Sequence, residues 1–586
     1  MEQLGKDRQF TGLGVSPGIA IGIAHVRETG VIDVPEYVIE ADTIEAEKAR
    51  LSKAVKVAQR QIRRFQGKAA ALSGAAAEEL VFLFDAYQQM LGDSRLVRGA
   101  EQRIEIGRLN AEAAVHNEVS EIAETFLAMD DAYIASRLDD IREVANRIIR
   151  NLTRTPIKPF SALPAGSIVI TEQLTPAGMA QLDPSVVIAA AATLGGAEGH
   201  TAIMARALGI PAVLGVPDLM AETHNGDTVI IDGGSGRVIV DPSDKTLDKY
   251  KRRQSDMIDA RRRLARLRDQ PSVSRDGTDF GLFANVELPM EMAMVQQAGA
   301  RGIGLLRSEF LFMNRARLPS EDEQYECLRD LVEAMAGRTV TIRSLDVGAD
   351  KEVGAVTGDL DDSAASALGL RGIRLSLLHR DELETQFRAI LRAAAHGPVR
   401  ILLPMVSAVS EVHQARDVLM RAAKKLRRRK VKIPAELPPL GVMIEVPGAA
   451  LAADSLARVS DFFAIGSNDL TMYTLAIDRA NEHVAHLFDP LHPGVLRLIQ
   501  FSTAAAQRAG IPVSICGEIA GDPRYTALLT GLGLRELSMT PSSILKVKQR
   551  IIGMDARAAT QRAQLIMDQT DAGRIATLLD DFNALA

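Results

Sequence analysis

Three textures follow one another along the chain. From Phe10 to about Val26, short apolar runs are cut by Gly and Pro (GLGVSPGIAIGIAHV), which predicts short strands. From about Ala41 to Leu152, apolar and small residues recur every three or four positions, with few breaks by Gly or Pro. EAEKARLSKAVKVAQRQIRRF, AEELVFLFDAYQQML and DDAYIASRLDDIREVANRIIRNL all show this period, which predicts helices. Strand texture resumes at Gly166 to Ile170 and runs through VVIAAAA, TVIIDG and RVIVD to about Asp241. The two strand-rich stretches predict one α/β domain with the helical stretch inserted into it. Lys245 to Arg268 is densely charged and reads as a solvated helix linking two halves.

After Pro271 the pattern changes again. LFANVE, GIGLLRSE, VTIRSLDVG, RILLPMV, GVMIEV, FFAIGSND, VSICGE and ELSM are strand-like runs separated by helical stretches. Strands alternating with helices in this number predict a closed (β/α)8 barrel. Their near-unbroken apolar character fits a parallel sheet buried on both faces. The expected fold is therefore α/β and multidomain. Residues 1–35 and 155–244 form a discontinuous α/β domain, 36–154 a helical insertion, 245–270 a linker helix and 271–586 the barrel.

Composition narrows the function. The chain has 586 residues, too many for one core, with 47% hydrophobic and 25% charged residues, as in ordinary globular proteins. A net charge of −6 argues against a nucleic-acid binder, and 4% aromatics with no Trp argue against stacking platforms. No apolar run approaches the ~18 residues of a membrane-spanning helix. The first residues lack the basic and apolar regions of a secretory signal. Two cysteines, Cys327 and Cys516, suit a reducing cytoplasm.

Chemistry in a (β/α)8 barrel sits at the C-terminal strand ends, and here those ends are unusually polar. Arg307 and Glu309 close the second strand, Arg343 and Asp346 the third, and Glu445 the fifth. Asn468 and Asp469 close the sixth, Cys516 and Glu518 the seventh. Lys351, Arg371, Arg374 and Arg479 lie in the connections. Gathered at one mouth, these groups suit a small, strongly anionic ligand held with a divalent metal. Arg grips carboxylate or phosphate bidentately, and two carboxylates are the usual protein share of a Mg2+ shell. A cysteine among so many cations is expected to have a lowered pKa and to transfer a proton, although buried packing is the commoner fate of a free cysteine. Upstream, GGAEGHTAIMARAL places His200 at the start of a helix behind a Gly pair. Glycines admit a phosphate close to the backbone, a helix N-terminus favours an anion, and a neutral imidazole there is a nucleophile. Arg206, on the same helix, can steady added negative charge or serve only as a surface group.

GVSPGIAIG, GGAEGHTAIMAR, GIGLLRSEFLF, VTIRSLDVGADK, GVMIEVPGAA, FFAIGSNDLTMYTLAIDR and ICGEIAGD, in that order, resemble Enzyme I of the bacterial phosphoenolpyruvate-dependent sugar phosphotransferase system. The resemblance spans nearly the whole chain. It implies a swivelling phosphohistidine domain, a helical docking site for the carrier HPr, and a phosphoenolpyruvate-binding barrel that forms a homodimer. It implies that His200 is phosphorylated and that Arg307, Arg343 and Arg479 grip phosphoenolpyruvate. It further implies Lys351 and Arg371 as phosphate contacts, Asn468 as a substrate contact, and Glu445 and Asp469 as Mg2+ ligands. Cys516 is implied as the acid that protonates the departing pyruvate, and Thr175 as a neighbour of the histidine ring. The chain departs from the family pattern at Glu198, Gly199, Met472 and Ala365–Ser366. Pyruvate phosphate dikinase and phosphoenolpyruvate synthase share both modules but add an ATP-binding domain, for which no Gly-rich loop is visible. A regulatory, nitrogen-type paralogue and an inactive carrier-binding scaffold are the other readings.

Overall fold

Gly and Pro break the start of the chain into three strands, β1 (Arg8–Thr11), β2 (Leu13–Ser16) and β3 (Ile19–Arg27). The structure is a computed structural model. It describes the chain apart from residues 1–6, 28–33, 72–83, 93, 128–131, 154–162, 175, 180–181, 196–199, 288, 313–316, 348–367, 479–482 and 585–586. The chain divides into two compact units, Met1–Asp259 and Ala260–Ala586. The charged helix Asp244–Ala265 contains the point of division.

In the first unit the sheet is completed by β4 (Ser167–Thr171), β5 (Val187–Ala192), β6 (Ala212–Leu214), β7 (Thr228–Asp232) and β8 (Arg237–Val240). The strand order is β1-β8-β7-β3-β4-β5-β6-β2, with β3, β4, β5 and β6 parallel. The chain leaves the sheet after β3 and returns at β4, its direct neighbour. Between them run the helices Ile44–Ala71, Arg95–Glu105, Ala111–Leu127 and Ala132–Thr153. The first packs on the fourth, the second on the third and the third on the fourth, around Leu51, Ile62, Leu91, Ile104 and Ile148. A buried polar knot fixes the entry to this bundle. Asn110 donates to Pro35 O at 2.7 Å and accepts from Tyr37 N at 3.0 Å, while Glu47 accepts from Ala111 N at 2.8 Å. Most buried amides and carboxylates are satisfied in this way.

In the second unit, β9 (Gly281–Val286), β10 (Ile303–Arg307), β11 (Val340–Arg343), β12 (Val399–Leu403), β13 (Leu440–Ile444), β14 (Phe463–Ile465), β15 (Val513–Ile515) and β16 (Glu536–Met539) close into a barrel. Every pairing is parallel, and β16 returns to β9. The eight strands are those that the apolar runs predict. The period of two sorts their side chains. Ile401, Leu403, Val442, Ile444, Phe463 and Ile465 join the large cluster shared with the helices, whereas Leu402, Met443 and Ala464 join a small separate cluster with Leu305, Phe462 and Cys516. The second set is the barrel's inner layer, and Cys516 belongs to it.

The inner layer leaves no spare room. A Cβ on Gly304 would lie 2.7 Å from Ser538 Cβ and 2.8 Å from Phe283 Cβ. Gly304→Ala is therefore expected to destabilise the barrel by about 1–3 kcal/mol through overpacking, read as a lower urea midpoint at unchanged slope. An unchanged midpoint would show that the layer can yield there.

Candidate active site at the barrel mouth

Parallel strands end on the same side of a barrel, so residues at their C-terminal ends converge. Arg307 ends β10, Arg343 ends β11, Glu445 follows β13, and Cys516 follows β15. The helix Ser467–Leu475 begins two residues after β14 and carries Asn468 and Asp469 in its first turn.

A buried ionic network joins these ends. Arg343 donates to Glu309 Oε1 at 2.9 Å and pairs with Asp346 Oδ2 at 2.9 Å. Asp346, fully buried, also receives both prongs of Arg371, Nε at 3.1 Å and Nη2 at 3.1 Å. Arg371 Nη2 reaches on to Asp469 Oδ2 at 3.5 Å. One carboxylate thus aligns two guanidinium groups, and Glu309 secures it by accepting the Asp346 N–H at 3.0 Å. Burial opposes charge on both arginines. Glu309, Asp346, Glu445 and Asp469 around Arg343, and Asp346 and Asp469 around Arg371, overcome it and hold both cations firmly protonated. Gln386 braces the loops behind, donating to Ser308 Oγ at 3.0 Å and accepting from Leu345 N at 3.1 Å.

Glu445 is the strained member. It is buried, and its Oε1 accepts the Met405 N–H at 2.6 Å. Met405 takes a φ of 58°, which non-glycine residues seldom adopt, and Gly372 makes room for it: a Cβ there would lie 2.8 Å from Met405 Cβ. Burial, then the neighbouring charges of Asp469 and Asp346, push the Glu445 carboxyl well above its usual range despite Arg343 and the Met405 N–H. Among the described residues its Oε2 has no hydrogen-bond partner, and neither do the buried Glu309 Oε2, Arg343 Nε and Ser467 Oγ. Orphaned buried polar atoms are costly, and four of them at these strand ends are what a site awaiting a polar ligand would show. Among the described residues no three His, Cys, Asp or Glu side chains form a metal cage. Two carboxylates, Glu445 and Asp469, with crowded negative charge and a free oxygen, nevertheless fit a hard divalent cation whose shell is completed by ligand oxygens and water.

Arg307 is half-exposed and pairs with Glu287. Asn468 and Glu518 exchange two hydrogen bonds, each 3.0 Å, across the ends of β14 and β15. Cys516 corrects an expectation. Instead of being lowered by the nearby cations, its thiol is pushed up to about 12. Burial is the largest cause and the Glu445 charge adds to it, outweighing Arg343 and Arg307. The thiol accordingly keeps its proton at neutral pH, with Sγ 3.5 Å from Ile465 O.

In the first unit, His200 opens the helix His200–Leu208, which follows β5, and Thr201 Oγ1 anchors that helix start on Leu174 O at 2.6 Å. The side chains of His200 and Arg206 lie outside the described residues, as do Thr175, Lys351, Arg479, Glu198, Gly199, Ala365 and Ser366. Sequence reasoning missed Met405 and Gln386. Met405 acts through its backbone and leaves no side-chain signal. Gln386 is a polar residue on a buried helix face (DELETQFRAIL), a signal that was readable.

The raised thiol generates a direct test. In the ligand-free protein at neutral pH, iodoacetamide is expected to modify the half-buried Cys327 ahead of Cys516. The rate at Cys516 should climb with pH toward its pKa of about 12, because only the thiolate reacts. Fast modification of Cys516 at neutral pH would contradict the burial account.

Comparison with known proteins gives the family. The model for the PEP-utilising enzyme, PEP-binding domain, matches residues 261–556. Those for the PEP-utilising enzyme, N-terminal, and the PEP-utilising enzyme, mobile domain, match residues 11–137 and 163–236. A phosphoenolpyruvate-protein phosphotransferase of Cupriavidus necator is 42% identical over 95% of this chain and 96% of its own length. One of Geobacillus stearothermophilus is 37% identical over 99% of each chain. A solution structure titled as Enzyme I (nEIt) is 35% identical, covers 42% of this chain and 99% of its own, and superposes with a TM-score of 0.37. Identity at this level over nearly the full length settles the kinship: the chain belongs to the phosphoenolpyruvate-protein phosphotransferase family.

Proposed function

We propose that this protein transfers the phosphoryl group of phosphoenolpyruvate to His200, releases pyruvate, and passes the group to a histidine of an HPr-type carrier as the first step of sugar uptake. The observation that carries this reading is the buried Glu309–Arg343–Asp346–Arg371 network, which fixes two guanidinium groups at a mouth lined by unsatisfied polar atoms. Phosphoryl transfer needs positioning and charge neutralisation more than covalent help from the protein.

In this mechanism Arg307, Arg343, Arg371, Lys351 and Arg479 bind the phosphate and carboxylate, and Asn468 orients the enol oxygen. Glu445 and Asp469 would hold Mg2+, which when bound neutralises phosphate charge. The imidazole nitrogen of His200 attacks phosphorus, with Thr175 and Arg206 steadying the ring and its new charge. The P–O bond to the enol oxygen breaks, and its electron pair forms the pyruvate carbonyl while the terminal carbon takes the Cys516 proton. A thiol held neutral by its surroundings is suited to give that proton, and solvent then reprotonates the thiolate. The inserted helices serve as the carrier's docking site. The barrel pairs two copies of the chain, and the reaction takes place in the cytoplasm. No helix among the described residues is long and apolar enough to cross a membrane.

The test uses the full chain with phosphoenolpyruvate, Mg2+ and a panel of carriers. His200→Ala is expected to abolish phosphorylation while leaving phosphoenolpyruvate binding largely intact. Cys516→Ala is expected to slow turnover by about 100- to 10,000-fold with little change in unfolding, as for loss of a general acid. Phosphate incorporation in the histidine variant, or unchanged turnover in the cysteine variant, would overturn those roles. Labelling that requires ATP would move the protein to the dikinase reading, and no pyruvate release would favour the scaffold.

A further inference from the structure

The outer helix Val409–Arg428 and the turn after it carry a concentration of charge that the barrel mouth does not use. Eight of the twelve residues from Arg421 to Lys432 are Lys or Arg, in a chain of net charge −6. A basic last turn complements the helix dipole, which accounts for some of them. Three are tied down locally: Lys425 pairs with Glu384 at 2.6 Å, Arg429 with Glu321 at 2.9 Å, and Arg427 donates to Ala435 O at 3.1 Å. Arg421, Lys424, Arg428, Lys430 and Lys432 are exposed, with no ion pair to any carboxylate among the described residues. Lys424 and Arg428 stand four residues apart on one helix, where like charges repel.

The patch borders an open, shallow depression. Met420, Ala423, Lys424, Arg427, Arg428 and Leu437 line a cavity of about 630 Å³, within the range of small-molecule sites. Lys424, Arg427 and Arg428 supply the cations. Met420, at 50% exposure, joins Ala423 and Leu437 as an apolar floor. Several cations around one hollow call for a ligand with adjacent negative charges, and the floor calls for an apolar body attached to them. Among the described residues no aromatic side chain lines the hollow to stack bases, which disfavours a nucleic-acid strand.

We propose that this cavity binds an organic polyphosphate of nucleotide size, its phosphates on Lys424, Arg427 and Arg428 and its ring against Met420 and Leu437. The lining holds no phosphoryl acceptor, so the ligand is a bound effector and not a donor.

Equilibrium dialysis of the full-length protein with labelled ATP tests this, with inorganic tripolyphosphate as a second arm and saturating phosphoenolpyruvate to fill the barrel mouth. The expected result is saturable binding at one site per chain that phosphoenolpyruvate does not displace. Lys424→Glu combined with Arg428→Glu should weaken ATP by at least about tenfold, as expected for lost charge-assisted contacts. Met420→Asp should weaken ATP more than tripolyphosphate. Thermal unfolding shows whether the variants fold, and neither set touches the residues of the barrel mouth. The proposal is overturned by the absence of saturable ATP binding, by insensitivity to charge reversal, by displacement with phosphoenolpyruvate, or by tripolyphosphate binding as tightly as ATP.

Discussion

Two arginines cannot be held side by side in a buried pocket unless a carboxylate lies between them. Asp346 is that carboxylate, fully buried and shared by Arg343 and Arg371 at 2.9 and 3.1 Å. Taking ions out of water costs several kcal/mol each, a cost offset only when geometry and hydrogen bonding are good. Here Glu309, the Asp346 N–H and the paired prongs of Arg371 provide both. The network is better understood as a device for placing cations than as a source of stability. It keeps Arg343 charged while burying 95% of its surface, leaving a preorganised positive field that need not reorganise during reaction.

The same mouth also crowds negative charge around Glu445. The charges of Asp469 and Asp346 help push the Glu445 carboxyl up, and Glu445 Oε2 finds no hydrogen-bond donor among the described residues. The Met405 backbone, held in a left-handed conformation next to Gly372, fixes that carboxylate with its N–H. Guanidinium groups and carboxylates therefore alternate at one mouth, Asp346 between Arg343 and Arg371 and Asp469 beyond Arg371, as a ligand of phosphate, carboxylate and metal can use. Cys516 sits at the base of this arrangement, in the barrel's inner layer, and its environment sets its proton in place instead of releasing it.

Most of this architecture is legible in the residues. The eight barrel strands are apolar runs bounded by charged residues, and parallel closure brings those charges together without further information. The sheet of the first unit is equally legible, because β3 and β4 are neighbours in space although a whole helical bundle separates them in sequence. The thiol at Cys516 was misread because counting nearby cations ignores burial, and burial is a property of the closed barrel and not of the local sequence. Met405 was invisible because its contribution is a backbone angle. Asp346 and Glu309 could be placed at strand ends, but their role in joining two arginines depends on distances that no spacing rule supplies. The family match extends the reading to the whole chain, with relatives 37–42% identical over nearly their full length.

The account requires that a phosphate gripped at the barrel end up on one imidazole in the other unit. Mass mapping of the intact chain after incubation with phosphoenolpyruvate and Mg2+ alone tests this most directly. The predicted result is a single acid-labile phosphoryl group on His200, formed without ATP. A phosphoryl group on any other residue, or none despite pyruvate release, would contradict it.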